Sequence, residues 1–313
     1  MFHHDASATR AALPFDLLVP ALRERFAGSC ETPQRHVHTI ATPGGSRMTS
    51  LIMPSWMPGR YYGVKVINIA PGNAAKGLPG VHGSYLLFDA TTGVPLAVVD
   101  GTELTTRRTA AASALAASFL AREDASHLLV VGAGAVAALL PAAYRTVREL
   151  QRVSVWARRP EQAAALATQW RAEGFNADAV TDLPVACGEA DIISCATLAT
   201  EPVVHGAWLA PGSHLDLIGS FTPGMREADD ACFADARVFV DTEEALEKSG
   251  DLLGPLSRGV VRPEEVRGTL TTLCKGVATA RRTPSDRTVF KSVGTALEDL
   301  AGAVLVHEGS LTR

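Results

Sequence analysis

Cysteine is scarce and unpaired in this chain of 313 residues. Its five cysteines, Cys30, Cys187, Cys195, Cys232 and Cys274, are odd in number and include no Cys-x-x-Cys. That pattern excludes a disulfide framework and a zinc knuckle, and predicts ordinary core thiols in a reducing cytoplasm. Charge of one sign is also lacking. The net charge is −4 and no long run of either sign occurs, which argues against nucleic acid and anionic membrane surfaces as partners. Apolar runs stop short of the ~18–20 residues of a membrane span, each interrupted by Pro, Gly or a charge. Met1-Phe2-His3-His4-Asp5 has no basic segment leading into an apolar one, so no secretory leader is expected. His36 and His38 would share one face of a strand but have no evident third ligand, so no metal is expected.

What is present is apolar: 47% of the residues, enough for the cores of two domains. From Arg122-Glu123-Asp124 onward, strand and helix patterns alternate as a doubly wound parallel sheet requires. The strands read Leu128–Val131, Val153–Trp156, Ala177–Val180, Asp191–Cys195, His214–Ile218 and Val238–Asp241, with a helix over Glu161–Glu173. The first ~120 residues, roughly one domain's length, read differently. An amphipathic helix over Pro14–Ala27 precedes antiparallel strands at Val37–Ala41, Thr49–Met53, Gly63–Ile69, Ser84–Phe88 and Val94–Val99. Asp89-Ala90-Thr91-Thr92-Gly93 has the turn chemistry to join the last two as a hairpin. A helix rich in small residues follows over Ala110–Ala121. The run Thr288–His307 again reads as helix, and with the parallel sheet complete by Asp241 it is expected to return to the first domain. The expected division is therefore 1–122 plus 288–313 against 123–287.

The strand Leu128–Val131 runs into Gly132-Ala133-Gly134-Ala135-Val136-Ala137, a Gly-x-Gly-x-x-Ala turn opening a helix. The first glycine permits a tight turn, the second lets backbone N–H groups approach a pyrophosphate, and the small third residue lets helix and strand pack closely. Six-residue glycine patterns are common, but this one sits in a βαβ context with the next strand where it should be. A dinucleotide site is expected, with Gly132, Gly134, Ala135 and Val136 contributing backbone. NAD enzymes place Asp or Glu at the end of the second strand for the ribose hydroxyls. Here the residues are Ala157-Arg158-Arg159-Pro160, and two guanidiniums suit a 2′-phosphate. NADP(H) is favoured and NAD(H) remains possible.

The first domain supplies three cations in telling settings. Lys65 lies inside the apolar strand Val64-Lys65-Val66-Ile67-Asn68-Ile69, and burying an ammonium is costly unless an anion answers it. A solvated edge strand is the plainer alternative. Arg108 is read at the start of a helix, where guanidinium and helix N–H groups together would hold a carboxylate, and Arg107 beside it as the exposed member. Arg35 begins a strand and, by itself, reads as solvated. His82 reads as a loop histidine without a catalytic role.

Lys65-Val66-Ile67-Asn68, Gly77-Leu78-Pro79, Leu86-Leu87-Phe88-Asp89, Asp100-Gly101, Thr106-Arg107-Arg108-Thr109-Ala110-Ala111 and Val289-Phe290-Lys291-Ser292-Val293-Gly294 resemble, in order and over nearly the whole chain, the ornithine cyclodeaminase/μ-crystallin family. The resemblance implies a Rossmann domain inserted into an α+β substrate-binding and dimerisation domain, and a homodimer. It also implies that Arg35, Lys65 and Arg108 hold the carboxylate of an amino or imino acid. Thr109 would sit near the cofactor phosphates or nicotinamide, and Thr197 and Ser292 would contact the cofactor.

The resemblance also departs at one place. Ornithine cyclodeaminases carry an Asp shortly after the Gly that ends the fifth nucleotide strand, whereas Ile218-Gly219-Ser220-Phe221-Thr222-Pro223 places Phe221 there. Phenylalanine neither accepts a proton nor pairs an ammonium, so cyclisation of ornithine is disfavoured. The expected activity is NAD(P)H-dependent reduction of a cyclic imino acid such as 1-pyrroline-2-carboxylate to an L-amino acid, with the carboxylate clamp setting the C=N carbon against the nicotinamide. The proton donor is Lys65 or a water. Three alternatives stand beside it: an NAD-dependent cyclodeaminase, an alanine-dehydrogenase-like enzyme, and an NADPH-binding protein without activity.

Overall fold

The computed structural model describes residues 1–42 and 47–311. The chain forms two compact units, one of residues 1–108 with the segment from Thr295 onward, the other Thr109–Gly294. The seams thus lie at 108/109 and 294/295, where the sequence patterns placed them at 122/123 and 287/288.

The first unit opens with a short strand β1 (Phe2–His4) and two helices, α1 (Ala6–Ala12) and α2 (Phe15–Ala27). Strands β2 (His36–Ala41), β3 (Arg47–Met57), β4 (Tyr61–Ile69), β5 (Val81–Asp89) and β6 (Pro95–Asp100) follow. The six strands form one sheet in the order β1-β6-β5-β4-β3-β2, antiparallel apart from the β1–β6 pair. Along β4, Gly63, Lys65 and Ile67 are buried while their neighbours are half-exposed, the alternation of a sheet with one covered face. The Asp89–Gly93 turn forms as expected. Asp89 Oδ1 accepts from the N–H groups of Thr91 and Thr92 and from the Thr92 hydroxyl. His82 lies on β5, exposed, rather than in a loop. His36 and His38 stack with ring centroids 6.4 Å apart on the exposed edge strand β2.

Helix α3 runs Gly101–Leu120, nine residues longer at its start than the small-residue pattern indicated. Asp100 Oδ1 accepts from the Glu103 N–H at 2.7 Å, capping the first turn. The Asp-x-x-Glu spacing of a capping box was the available signal, masked by the β-branched Thr105 and Thr106. Ala110, Ala111, Ala114, Ala116 and Ala117 are all fully buried.

The second unit continues through β7 (His127–Val131), α4 (Ala135–Tyr144), β8 (Arg152–Trp156), α5 (Pro160–Ala172), β9 (Ala177–Ala179), α6 (Leu183–Glu189), β10 (Ile192–Cys195), β11 (His214–Leu217), β12 (Arg237–Val240), α7 (Glu244–Lys248), α8 (Gly250–Ser257), α9 (Leu270–Cys274) and β13 (Thr288–Lys291). All seven strands are parallel, ordered β12-β13-β11-β10-β7-β8-β9. This is the dinucleotide-binding order with one strand added. Two expectations are corrected here. The sheet is not complete at Asp241, because β13 inserts between β11 and β12. The run from Thr288 is not helical at its start, because Thr288-Val289-Phe290-Lys291 is a fully buried strand and Gly294, at φ 76°, breaks the chain direction before the last helix. β-branched and aromatic residues favour that choice, which a helical reading of a short apolar run overlooks.

The last helix, α10 (Ala296–Leu311), belongs to the first unit and packs on α2, β3, β4 and β5. Of the cysteines, Cys187, Cys195 and Cys232 are buried, whereas Cys30 and Cys274 are only half-buried, and no disulfide joins any of them among the described residues. No helix among the described residues is long and apolar enough to cross a membrane.

Candidate active site

In the first unit, β4 is a central strand, so Lys65 is not on a solvated edge. The register sets Lys65 opposite Met53 on β3 and Tyr85 on β5, and all three side chains are buried. Continuing the β2–β3 register one residue past His36↔Ile52 puts Arg35, half-buried, into the same cross-strand row.

The anion that answers Lys65 comes from the chain itself. Its Nζ lies 2.6 Å from Asp299 Oδ2 and donates to Thr105 Oγ1 at 3.4 Å. Arg108 Nε donates to the other oxygen of Asp299 at 2.9 Å, and its Nη1 to Glu298 Oε2 at 2.5 Å. Two cations and two carboxylates thus balance inside one buried cluster, with Asp299 bridging Lys65 and Arg108.

The cluster reshapes every proton affinity in it. Burial, then the Arg108 charge, pushes Lys65 down to about 8, against the pull of Asp299 and Glu298. Burial alone would raise Asp299, but Lys65 and Arg108 hold it below the usual carboxylate range. Burial would likewise lower Arg108, and the two carboxylates outweigh it and drive it upward.

Two readings of this helix are corrected. Arg108 is not at a helix start, since α3 begins at Gly101 and the backbone donors around Arg108 lie inside the helix. Arg107 is not exposed: its Nε donates to the Leu13 carbonyl at 2.8 Å and its guanidinium lies 4.5 Å over the Phe15 ring. Glu298 and Asp299 were missed. Their signal was an acidic pair directly ahead of the apolar run Leu300–Val306, placed in the first turn of the helix where anions are favoured.

In the second unit, Gly132 has φ 123°, and a Cβ there would stand 2.5 Å from the Ala196 carbonyl oxygen. Only glycine fits. Gly134 caps α4, and a Cβ on it would meet no atom of the chain within 4 Å, so it would fill the hollow in front of the helix instead. That hollow is a cleft of about 720 Å³ bounded by Gly132, Gly134, Ala157, Arg158, Arg159 and Thr197. It is the size of a small-molecule site. Ala135 and Val136 form the first turn of α4, whose N–H groups point to the same end. Arg158 and Arg159 are exposed, and Arg159 caps α5 and donates to Gln162 at 3.1 Å. Thr109 and Ser292 are not among the residues that bound this cleft. Thr109 follows Arg108 on α3, and Ser292 is a buried residue just past β13.

Behind the cleft lie buried acids that the sequence reading passed over. Glu227 Oε1 accepts from the Thr197 N–H at 2.7 Å and its hydroxyl at 2.9 Å, and Oε2 accepts from the Gly219 N–H at 2.6 Å. Asp241 Oδ2 accepts from the N–H groups of Val293 and Gly294. Asp251 receives the Glu227 N–H and the Lys291 ammonium. These carboxylates tie down the turns after β10, β11 and β13, at the carboxyl end of a parallel sheet where ligands bind.

The profile of the Ornithine cyclodeaminase/mu-crystallin family matches residues 7–313. The chain belongs to that family. Among curated proteins, it is 46% identical over 274 residues to a Delta(1)-pyrroline-2-carboxylate reductase of Paracoccus denitrificans, covering 86% of this chain and 85% of the relative. The structure of the Delta(1)-pyrroline-2-carboxylate reductase of Thermococcus litoralis in complex with NADH and L-proline superposes with TM-score 0.92 at 32% identity, covering 100% of this chain and 98% of the other. An archaeal alanine dehydrogenase dimer with bound NAD gives TM-score 0.91 at 29% identity, with 100% and 96% covered. The α/β fold of this family member is therefore the one its solved relatives share.

Proposed function

We propose that this family member is an NAD(P)H-dependent reductase of cyclic imino acids, converting 1-pyrroline-2-carboxylate to L-proline. The observation that carries this reading is the near full-length similarity to the Paracoccus denitrificans reductase at 46% identity. The chain's own residues supply the means. Arg108 is held in one orientation by Asp299 and Glu298, which take only part of its fork of N–H donors, so a third carboxylate can be gripped by the rest. Lys65 and Arg35 share the cross-strand row that completes the grip. Reduction adds a hydride to the C=N carbon and a proton to the nitrogen. An ammonium with a pKa near 8 is suited to give that proton around neutrality, and Lys65 is assigned that role.

Gly132, Gly134 and the first turn of α4 fit a pyrophosphate, and Thr197, Thr109 and Ser292 are assigned to the remainder of the dinucleotide. When bound, the reduced nicotinamide supplies the hydride. Arg158 and Arg159 stand at the end of β8 where NAD enzymes place a carboxylate, and although Glu201 also borders the cleft, the two guanidiniums favour NADPH over NADH. Arg158→Ala is then expected to raise KM for NADPH roughly ten-fold or more, the loss of a hydrogen bond to a charged group, and to leave KM for NADH nearly unchanged. An equal effect on both cofactors would remove the argument for NADPH. The chain is proposed to work as a homodimer through its first unit.

The purified protein is to be assayed with NADPH or NADH and 1-pyrroline-2-carboxylate, 1-piperideine-2-carboxylate, or pyruvate with ammonia. Oxidation of one cofactor per L-proline formed is the expected result. Turnover of pyruvate and ammonia alone would assign an alanine dehydrogenase, the second reading that the archaeal relative favours. Ornithine with NAD is the control: ammonia release from it would overturn the proposal.

A further inference from the structure

We infer that Glu227 is a positioning residue of the dinucleotide cleft, fixing the Thr197 hydroxyl as a hydrogen-bond acceptor toward an N–H donor of the ligand, the group that a carboxamide carries. This rests on the reading that the cleft holds a nicotinamide dinucleotide. A hydroxyl has one proton to give, and the Thr197 hydroxyl gives it to Glu227 Oε1. Its lone pairs then face the Ala199 N–H at 3.2 Å and the cleft that Thr197 borders.

Glu227 is held so firmly that it can impose this polarity. Its N–H donates to Asp251 Oδ1 at 2.8 Å, and its carbonyl accepts from the N–H groups of Val203 and Val204. Its two carboxylate oxygens together receive three donors, so a proton on Oε2 would displace the Gly219 N–H and a proton on Oε1 would reverse the bond to the Thr197 hydroxyl; the ionised form alone accepts all three. There is no slack at the neighbouring turn either. A Cβ on Gly219 would stand 2.0 Å from the Thr197 carbonyl oxygen and 2.5 Å from Glu227 Oε1. Burial is the largest influence and raises Glu227 to about 7, with Lys291 favouring its ionised form and Asp251 opposing it. The stated polarity therefore belongs to the ionised form, and binding is to be read about one to two pH units above that value. The same carboxylate joins the Thr197 turn after β10 to the Gly219 turn after β11, so one side chain braces the Thr197 wall of the cleft against the neighbouring strand's turn.

A double-mutant cycle on the whole protein tests this, reading the Kd of NADH by its fluorescence. Glu227→Gln cannot accept all three donors and is expected to weaken NADH roughly ten-fold or more. In a Thr197→Val background, which has no hydroxyl to orient, the same change is expected to cost less than about two-fold. An equal loss in both backgrounds would mark a general packing defect and overturn the inference.

A reduced analogue with an acetyl group in place of the carboxamide supplies a second readout, since it has no N–H to donate. Thr197→Val should weaken NADH while leaving the analogue nearly unaffected, and this arm stands even if Glu227→Gln does not fold. Equal weakening of both ligands would refute the polarity assignment. Failure of the unmodified protein to bind NADH or NADPH at all would overturn the dinucleotide reading and the inference with it, an outcome separate from unchanged binding by Glu227→Gln.

Discussion

Arg108→Met is expected to destabilise the protein by about 3–5 kcal/mol in urea unfolding near pH 7, because it takes one of two cations from buried Asp299 and the paired guanidinium from buried Glu298. Arg108 is 5% exposed and Asp299 is 0% exposed, so water cannot take over the solvation that the guanidinium provides. Lys65 still pairs with Asp299 in the variant, but Glu298 loses its Arg108 donor. The pH dependence has a definite sign. In the unmodified protein Asp299 is held below the ordinary carboxyl range, so its contribution to stability is present above that range and fades on acidification.

Without Arg108, Asp299 keeps Lys65 but loses one of the two cations that hold it down, so burial weighs more and its folded pKa rises; once that passes the unfolded value, the variant loses stability as pH climbs through it. The gap between the two proteins should therefore narrow on going from about pH 7 to about pH 5. A further change, Glu298→Gln, should recover part of the loss by removing one uncompensated charge. A gap under about 1 kcal/mol, the range of an exposed ion pair, would show that the cluster is not the buried network described.

Lys65→Met is expected to lower kcat/KM for 1-pyrroline-2-carboxylate by roughly 10²–10⁴-fold, the range for losing a positioned acid. Folding should survive, since Asp299 keeps Arg108 as partner. kcat/KM reports the free enzyme, where Lys65 titrates at about 8 under the influence of burial, Arg108, Asp299 and Glu298. A lysine with a depressed pKa loses its charge as pH rises through that value, so kcat/KM should decline on the alkaline side of about 8. Lys65→Arg keeps the positive charge but has no proton to give near neutrality, so it should remove the decline near 8 and hold KM close to the unmodified value while kcat stays low. If Lys65→Met keeps both the alkaline limb and most of kcat/KM, Lys65 is neither the clamp nor the acid.

Much of this molecule was legible from local pattern. The strand–glycine–helix run at Val131–Ala137, the two arginines after Trp156, the Asp89–Gly93 turn and the alternation around Lys65 each depend on neighbours a few residues away. The strand at Thr288–Lys291 was misjudged for the opposite reason. Its four residues carry no periodicity that separates strand from helix, and its place between β11 and β12 is a contact with residues ~50–70 positions earlier.

The same contrast governs the site. A lysine and an arginine in apolar surroundings announce by themselves that anions must answer them, because an isolated buried charge is too costly to tolerate. Which anions answer is settled only when α10, which carries Asp299 191 residues beyond Arg108 and further still beyond Lys65, folds back over β4 and sets Asp299 between the two cations. Glu227 belongs to that second kind as well. A glutamate among polar neighbours reads as surface until the turns after β10 and β11 close around it, since desolvation is a property of the folded packing and has no signature along the chain.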